Sequence, residues 1–161
     1  MNKDSFYMNQ ALKEAKKAFD SDEVPVGAVI VYKGSIIAKA HNQIETLKDP
    51  TAHAEMIAIT QAANYLQNER LIGCSLYATI EPCSMCAGAM VLARIDRLIY
   101  GAGDPKTGAC GSVEDVINNR KLNHRVKVKK GVLEEETSSL IKEFFKVKRS
   151  GKKSERLHSP A

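Results

Sequence analysis

Apolar and polar positions along this chain change period several times, and each change marks an element. Met8, Ala11, Leu12, Ala15, Ala18 and Phe19 recur at helical spacing, so residues 5–20 form an amphipathic helix. Val26 to Tyr32 is a short apolar run rich in β-branched residues. Lys33-Gly34 turns it and Ser35 to Ala40 returns, the pattern of a β-hairpin. Ile57, Ala58, Ala62, Ala63 and Leu66 suit a helix that begins near His53. Cys74 to Ile80 reads as a third strand and Ile95 to Gly101 as a fourth. Between them, Cys83 to Leu92 is small and apolar nearly all round, which predicts a buried helix. Val113 to Asn118 carries a short helical pattern and Arg125 to Lys129 a fifth strand. From Glu134 to about Arg149 the period is helical again, with Leu140, Ile141, Phe144 and Phe145 inward.

Helices alternating with strands predict a layered α/β domain. Strands three, four and five are separated by helical segments, so they pair in parallel, whereas the tightly joined first two are antiparallel. The expected architecture is a mixed five-stranded sheet with helices on both faces. The 161 residues fit one domain, placed at residues 1–150, with a basic tail at 151–161.

Composition narrows the class. The chain is 43% hydrophobic and 27% charged, as in soluble globular proteins. No apolar run is long enough to span a bilayer. The start, Met1-Asn2-Lys3-Asp4-Ser5, lacks the apolar core of a signal peptide, so a cytoplasmic location without membrane contact is expected. Four cysteines in a reducing compartment point to metal binding or buried thiols rather than disulfides. Residues 1–141 hold 17 basic and 17 acidic side chains, so the whole net charge of +5 sits in residues 142–161. A second basic stretch, Arg120 to Lys130, is followed closely by Glu134-Glu135-Glu136. A charged tail is often a solubility element, and it suits phosphate contact if the partner is a nucleic acid.

The candidate chemistry lies in His53-Ala54-Glu55 and Pro82-Cys83-Ser84-Met85-Cys86. One imidazole and two thiolates leave a fourth zinc position open, the mark of a catalytic rather than a structural site. Cys83 and Cys86, three apart at a helix start, share a face, and the helix N-terminus favours thiolates. Thr51 is the expected N-cap of the helix that carries His53. Glu55 is the candidate base, although two residues along a helix turn by about 200°, so periodicity alone does not place it beside His53. A lone Cys-x-x-Cys also suits a zinc knuckle or a redox pair. The conjunction with His-Ala-Glu is the pattern of zinc nucleobase deaminases. Cys74 and Cys110 read as ordinary small residues, and His41, His124 and His158 as surface or loop residues.

With Glu23-Val24-Pro25-Val26-Gly27-Ala28, Ala40-His41-Asn42, Asp49-Pro50-Thr51-Ala52-His53-Ala54-Glu55, Glu81-Pro82-Cys83-Ser84-Met85-Cys86-Ala87-Gly88, Tyr100-Gly101-Ala102, Asn123-His124-Arg125 and Phe144-Phe145, the chain resembles the TadA-type tRNA adenosine deaminases. The likeness runs over nearly the whole chain. It implies a three-layer cytidine deaminase-like fold and hydrolytic deamination of adenosine to inosine at the wobble position, 34, of a tRNA anticodon. It implies one zinc per subunit on His53, Cys83 and Cys86, and Glu55 as the shuttle of protons to purine N1 and to the departing amine. Asn42 and backbone groups of Ala54 and Pro82 would then hold the flipped base. Asp104, Lys106 and Phe145 would wall the anticodon-loop cleft, and a homodimer would shape it.

A base in a duplex hides its reactive atom, so a loop substrate is favoured, with Phe144, Phe145 and the histidines as stacking candidates. Two alternatives remain: a deaminase of a free base or nucleotide of the guanine or cytosine type, and a catalytically silent RNA-binding subunit. The basic tail and the Asn42 region speak against the first, and the intact Glu55 against the second.

Overall fold

The computed structural model describes the backbone of residues 2–158 and the side chains of residues 2–151. The elements are α1 (Lys3–Asp20), β1 (Gly27–Tyr32), β2 (Ser35–His41), α2 (Ile44–Leu47), α3 (Ala54–Leu66), β3 (Cys74–Ile80), α4 (Ser84–Leu92), β4 (Arg97–Ala102), β5 (Lys127–Lys129) and α5 (Glu134–His158). The charged side chains of the expected tail, from Lys152 onwards, lie outside the described residues.

The five strands form one sheet in the order β2-β1-β3-β4-β5. β1 pairs antiparallel with β2 and β3, whereas β3–β4 and β4–β5 are parallel. The β1–β2 turn is tight because Lys33 and Gly34 both take positive φ, 49° and 77°, a region that glycine enters without steric cost.

Alternation along the strands sorts side chains into two layers. Ala28, Ile30, Leu76, Ala78 and Leu98 point to one face, where Ala54, Ala58 and Ala62 of α3 and Cys86, Ala87 and Met90 of α4 cover them. Val29, Val31, Tyr77 and Ile99 point to the other, against Met8 and Ala11 of α1. α5 packs on β4, on β3 and on α1, completing three layers. The alanines of α3 and α4 matter because small side chains let a helix approach a sheet closely.

Two expectations are corrected here. Val113 to Asn118 forms turns and an isolated bridge between Cys110 and Asp115, not a helix. The cause is local: Asp115 Oδ1 accepts from Asn118 N–H at 3.1 Å, and the chain is held by Gly111 N–H to Glu114 at 2.9 Å. α4 is not buried all round. Cys86, Ala87, Met90 and Val91 are buried, but Leu92 is 82% exposed, and Met85, Gly88 and Ala89 are half-buried.

Candidate active site

Two helix starts converge near the C-terminal end of β3. His53 is the N-cap of α3, with extended backbone (φ −72°, ψ 148°), and Cys83 is the N-cap of α4 (φ −75°, ψ 176°). Neither ligand is therefore a helical residue. The 200° separation of His53 and Glu55 does not apply, because the chain bends between them, and the next residue, Ala54, opens the helix. Thr51, expected to cap α3, instead donates its N–H and hydroxyl to Asp49 at 2.8 and 2.7 Å. Asn42 takes the capping role from outside the helix: its Oδ1 accepts the Ala54 N–H at 2.8 Å.

His53 Nδ1 lies 3.6 Å from Cys83 Sγ and 3.6 Å from Cys86 Sγ. All three ligand atoms lie within 4.8 Å of one another, and among the described residues no fourth His, Cys, Asp or Glu joins them. The Cys86 thiol and then His53 hold the Cys83 thiol down to about 4, against the opposite pull of burial. The hydrogen bond to Cys83 raises His53, with burial opposing it. Sharing a proton with Cys83, together with burial, pushes Cys86 up. One nitrogen and two sulfurs at this spacing fit a divalent zinc, which displaces the thiol protons and takes a tetrahedral site with one open position.

Glu55 completes the fit. It is 4% exposed, burial raises its carboxyl above the usual range, and its Oε1 has no hydrogen-bond partner. It lines a cleft of about 210 Å³ together with His53, Cys83, Asn42, Val24, Ile44, Asp104 and Thr107.

The remaining expected residues divide by location. The Ala54 N–H is taken by Asn42, and the Pro82 carbonyl accepts from Ala109 N–H at 2.9 Å, so both nominated backbone groups already help build the site. Asp104 lines the cleft, but its carboxylate is turned into its own loop, accepting from Lys106 N–H, Thr107 N–H and the Thr107 hydroxyl at 3.0, 3.2 and 2.7 Å. Lys106 and Phe145 meet at a neighbouring depression of about 320 Å³ with Ile141, Lys142 and Arg149. Phe145, 43% exposed, also borders a third hollow of about 380 Å³ that shares Val24 and Ile44 with the cleft. Phe144 is core, packed edge-on against Phe19 at 5.6 Å. His41 meets Glu14 at 3.3 Å, and His124 meets the Ile95 carbonyl at 2.7 Å; neither joins the metal cluster.

Sequence reasoning missed the cleft walls Val24, Ile44 and Thr107, and the buried Glu23 whose carboxylate accepts from Glu45 and Thr46 N–H at 3.0 and 2.8 Å. Glu23 and Val24 belong to a motif that carries the resemblance, but nothing in the sequence assigned either a place in the cleft. α2 has only four residues, Ile44–Leu47, too few for a period to show.

A family model described as MafB19-like deaminase matches residues 1–149. The chain is 47% identical to the tRNA-specific adenosine deaminase of Bacillus subtilis (strain 168) over 156 residues, 97% of each chain. It is 53% identical to the tRNA-specific adenosine deaminase of Aquifex aeolicus (strain VF5) over 141 residues, 88% of this chain and 93% of the relative. It is also similar to a structure from a study of A-to-I editing by tRNA:A34 deaminases at the wobble position of transfer RNA. The TM-score is 0.81 at 45% identity, covering 84% of this chain and 98% of that one.

Proposed function

This chain belongs to the family of tRNA-specific adenosine deaminases, and on that premise we propose how its own residues carry the reaction. The enzyme is zinc-dependent and hydrolytically deaminates adenosine to inosine at position 34 of tRNA. The observation that carries the reading is the His53–Cys83–Cys86 cluster opening onto a cleft that holds a buried carboxylate with one unpartnered oxygen.

His53, Cys83 and Cys86 hold one zinc ion. Bound there, the ion supplies the Lewis acidity that makes water a competent nucleophile near neutral pH. Glu55 accepts a proton from the attacking water and passes it to purine N1. It then takes the remaining proton from the oxygen newly bonded to C6 and delivers it to the C6 amine; the C6–N bond breaks, ammonia leaves and the oxygen stays on C6 as the carbonyl of inosine. An oxygen already held by protein donors would be a poor carrier; Oε1 of Glu55 has none. Asn42 is pinned through its Oδ1, so its amide nitrogen is the atom left to donate to the base. The Ala54 N–H and the Pro82 carbonyl, taken by Asn42 and Ala109, act behind the cleft wall by fixing Asn42 and the turn before Cys83.

The contiguous hollows suit a splayed single strand rather than a duplex. Phe145 offers a stacking face between them, and Lys106, Lys142 and Arg149 supply positive charge for phosphates. Asp104 shapes the wall that carries Lys106.

The protein acts as a homodimer. Met85, Gly88, Ala89 and Leu92 form an apolar stripe at helical spacing on α4, which packs against α3. The reaction takes place in the cytoplasm, in keeping with four free thiols and with no described helix long and apolar enough to cross a membrane.

The decisive experiment incubates the zinc-loaded protein with anticodon stem-loops bearing adenosine at position 34 and resolves the nucleosides by HPLC. Inosine is expected from the stem-loop, and no product from free guanine, cytosine or adenosine. Turnover of a free base without turnover of the stem-loop overturns the reading.

A further inference from the structure

Glu81 follows β3, precedes the Pro82-Cys83 turn and borders the cleft, yet its carboxylate is bonded to a different segment. It is 3% exposed. Its Oε1 accepts from Asp104 N–H at 3.0 Å and makes a close hydrogen bond with the Ser112 hydroxyl. Its Oε2 accepts from Cys110 N–H at 3.0 Å and Ser112 N–H at 3.2 Å. One carboxylate thus holds both arms of the loop 103–112. Gly108 is required by this arrangement, since a Cβ there would run into the Glu81 carboxylate and the Asp104 carbonyl.

The near arm of that loop carries Asp104 and Thr107 on the cleft and Lys106 beside Phe145. Four donors converging on two oxygens need a group that accepts everywhere and donates nowhere, and only a carboxylate does so. Resting on the tRNA reading above, we propose that Glu81 is a positioning residue. It fixes the Asp104–Thr107 wall in the shape that receives the anticodon loop, and so sets how tightly RNA is held while Glu55 moves the protons. A wall ordered before binding spares the RNA the entropy of ordering it, so the effect belongs to affinity rather than to the chemical step.

The test compares Glu81→Gln and Ser112→Ala in the full-length, zinc-loaded protein. Gln presents an N–H₂ to donors that have nothing to accept it. Ser112→Ala removes one donor at the exposed rim, outside the cleft, and so remains informative if Glu81→Gln folds poorly. Both variants are expected to keep stoichiometric zinc. KM and the Kd for an anticodon stem-loop should rise about tenfold for Glu81→Gln and about threefold for Ser112→Ala. The value of kcat at saturating RNA should move less than about twofold. Amide hydrogen exchange at Asp104, Cys110 and Ser112 should accelerate. The double variant should be little worse than Glu81→Gln, because the two changes break the same bonds. Faster exchange with unchanged Kd and KM would overturn the proposal, as would loss of zinc or a fall in kcat at constant KM, which would tie Glu81 to the metal-bearing turn. Failure of the tRNA reading has a different signature: wild-type protein that makes no inosine from the stem-loop.

Discussion

Burying a carboxylate with one oxygen unpartnered costs about 1–3 kcal/mol, and Glu55 is in that state. The site tolerates the cost because a proton carrier must keep an oxygen that the protein does not already occupy. Glu55→Ala should therefore retain zinc and bind the stem-loop, yet lose about 10²–10⁴-fold in single-turnover rate, the usual contribution of a positioned acid–base group. A near-normal rate would remove Glu55 from the mechanism. Cys83 and Cys86 are tied to the fold as well as to the metal, since metal binding free energy adds to folding free energy. Metal analysis should find one zinc per native chain and none in Cys83→Ala, together with a lower melting temperature. Full zinc in that variant would reassign the ligands.

At the scale of elements, one carboxylate of α1 reaches three strands of the sheet. Asp4 accepts from Tyr77 OH at 2.7 Å and Lys129 Nζ at 2.8 Å, with Arg97 at 3.5 Å, joining α1 to β3, β5 and β4. Burial alone would raise its carboxyl, but Lys129 and Tyr77 hold it below the usual range. A carboxyl lowered by folding stabilises the native state fully above its unfolded-state pKa and loses that contribution as pH falls through its folded-state pKa. Asp4→Asn should thus melt lower than wild type near neutral pH, by an amount worth about 1–2 kcal/mol, and the two melting temperatures should converge as pH falls below the ordinary aspartate value of 3.8 and through the lowered folded-state one. A gap that stays constant across that range would show that the carboxylate charge is not what fastens the helix. The other elements differ in how well their pattern could be read. α1 follows its period closely because one face is buried and the other wet, and β1 reads as an unbroken apolar run because both of its faces are buried. α4 misled because a run of small apolar residues looks the same whether its outer side meets the protein or water.

For the whole molecule, the exposed stripe on α4 and the basic end of α5 make separate predictions. Light scattering at about micromolar concentration should report a dimer, and Leu92→Glu, which puts a charge on an 82% exposed apolar position, should shift it to monomer. A dimer unaffected by Leu92→Glu would place the interface elsewhere. Truncation after Gly151 removes Lys152, Lys153 and Arg156 against Glu155 but keeps Phe144 and the Lys148–Asp22 pair at 2.7 Å. If two of those cations meet phosphates, the slope of log affinity against log salt should flatten by about 1 to 2, with single-turnover rate at saturating RNA nearly unchanged. An unchanged slope would make the segment a solubility element.

The sequence by itself determined the layered α/β class, the antiparallel β1–β2 hairpin, the parallel pairing of β3, β4 and β5, and the metal donor set. Those depend on period, connection length and ligand chemistry, which are local properties of a chain. It carried Glu55 only through the resemblance, because helical arithmetic put that residue on the far side from His53. The tertiary structure decided the point by placing His53 and Cys83 at N-caps, with extended backbone, where helical angles do not hold. It also decided that Asn42 rather than Thr51 satisfies the start of α3, and that Glu81 organises a segment more than twenty residues away. Such partners meet only after strands β1, β3 and β4 are side by side. A hydrogen bond between distant residues leaves no period in the chain; it is visible only in the space that packing creates.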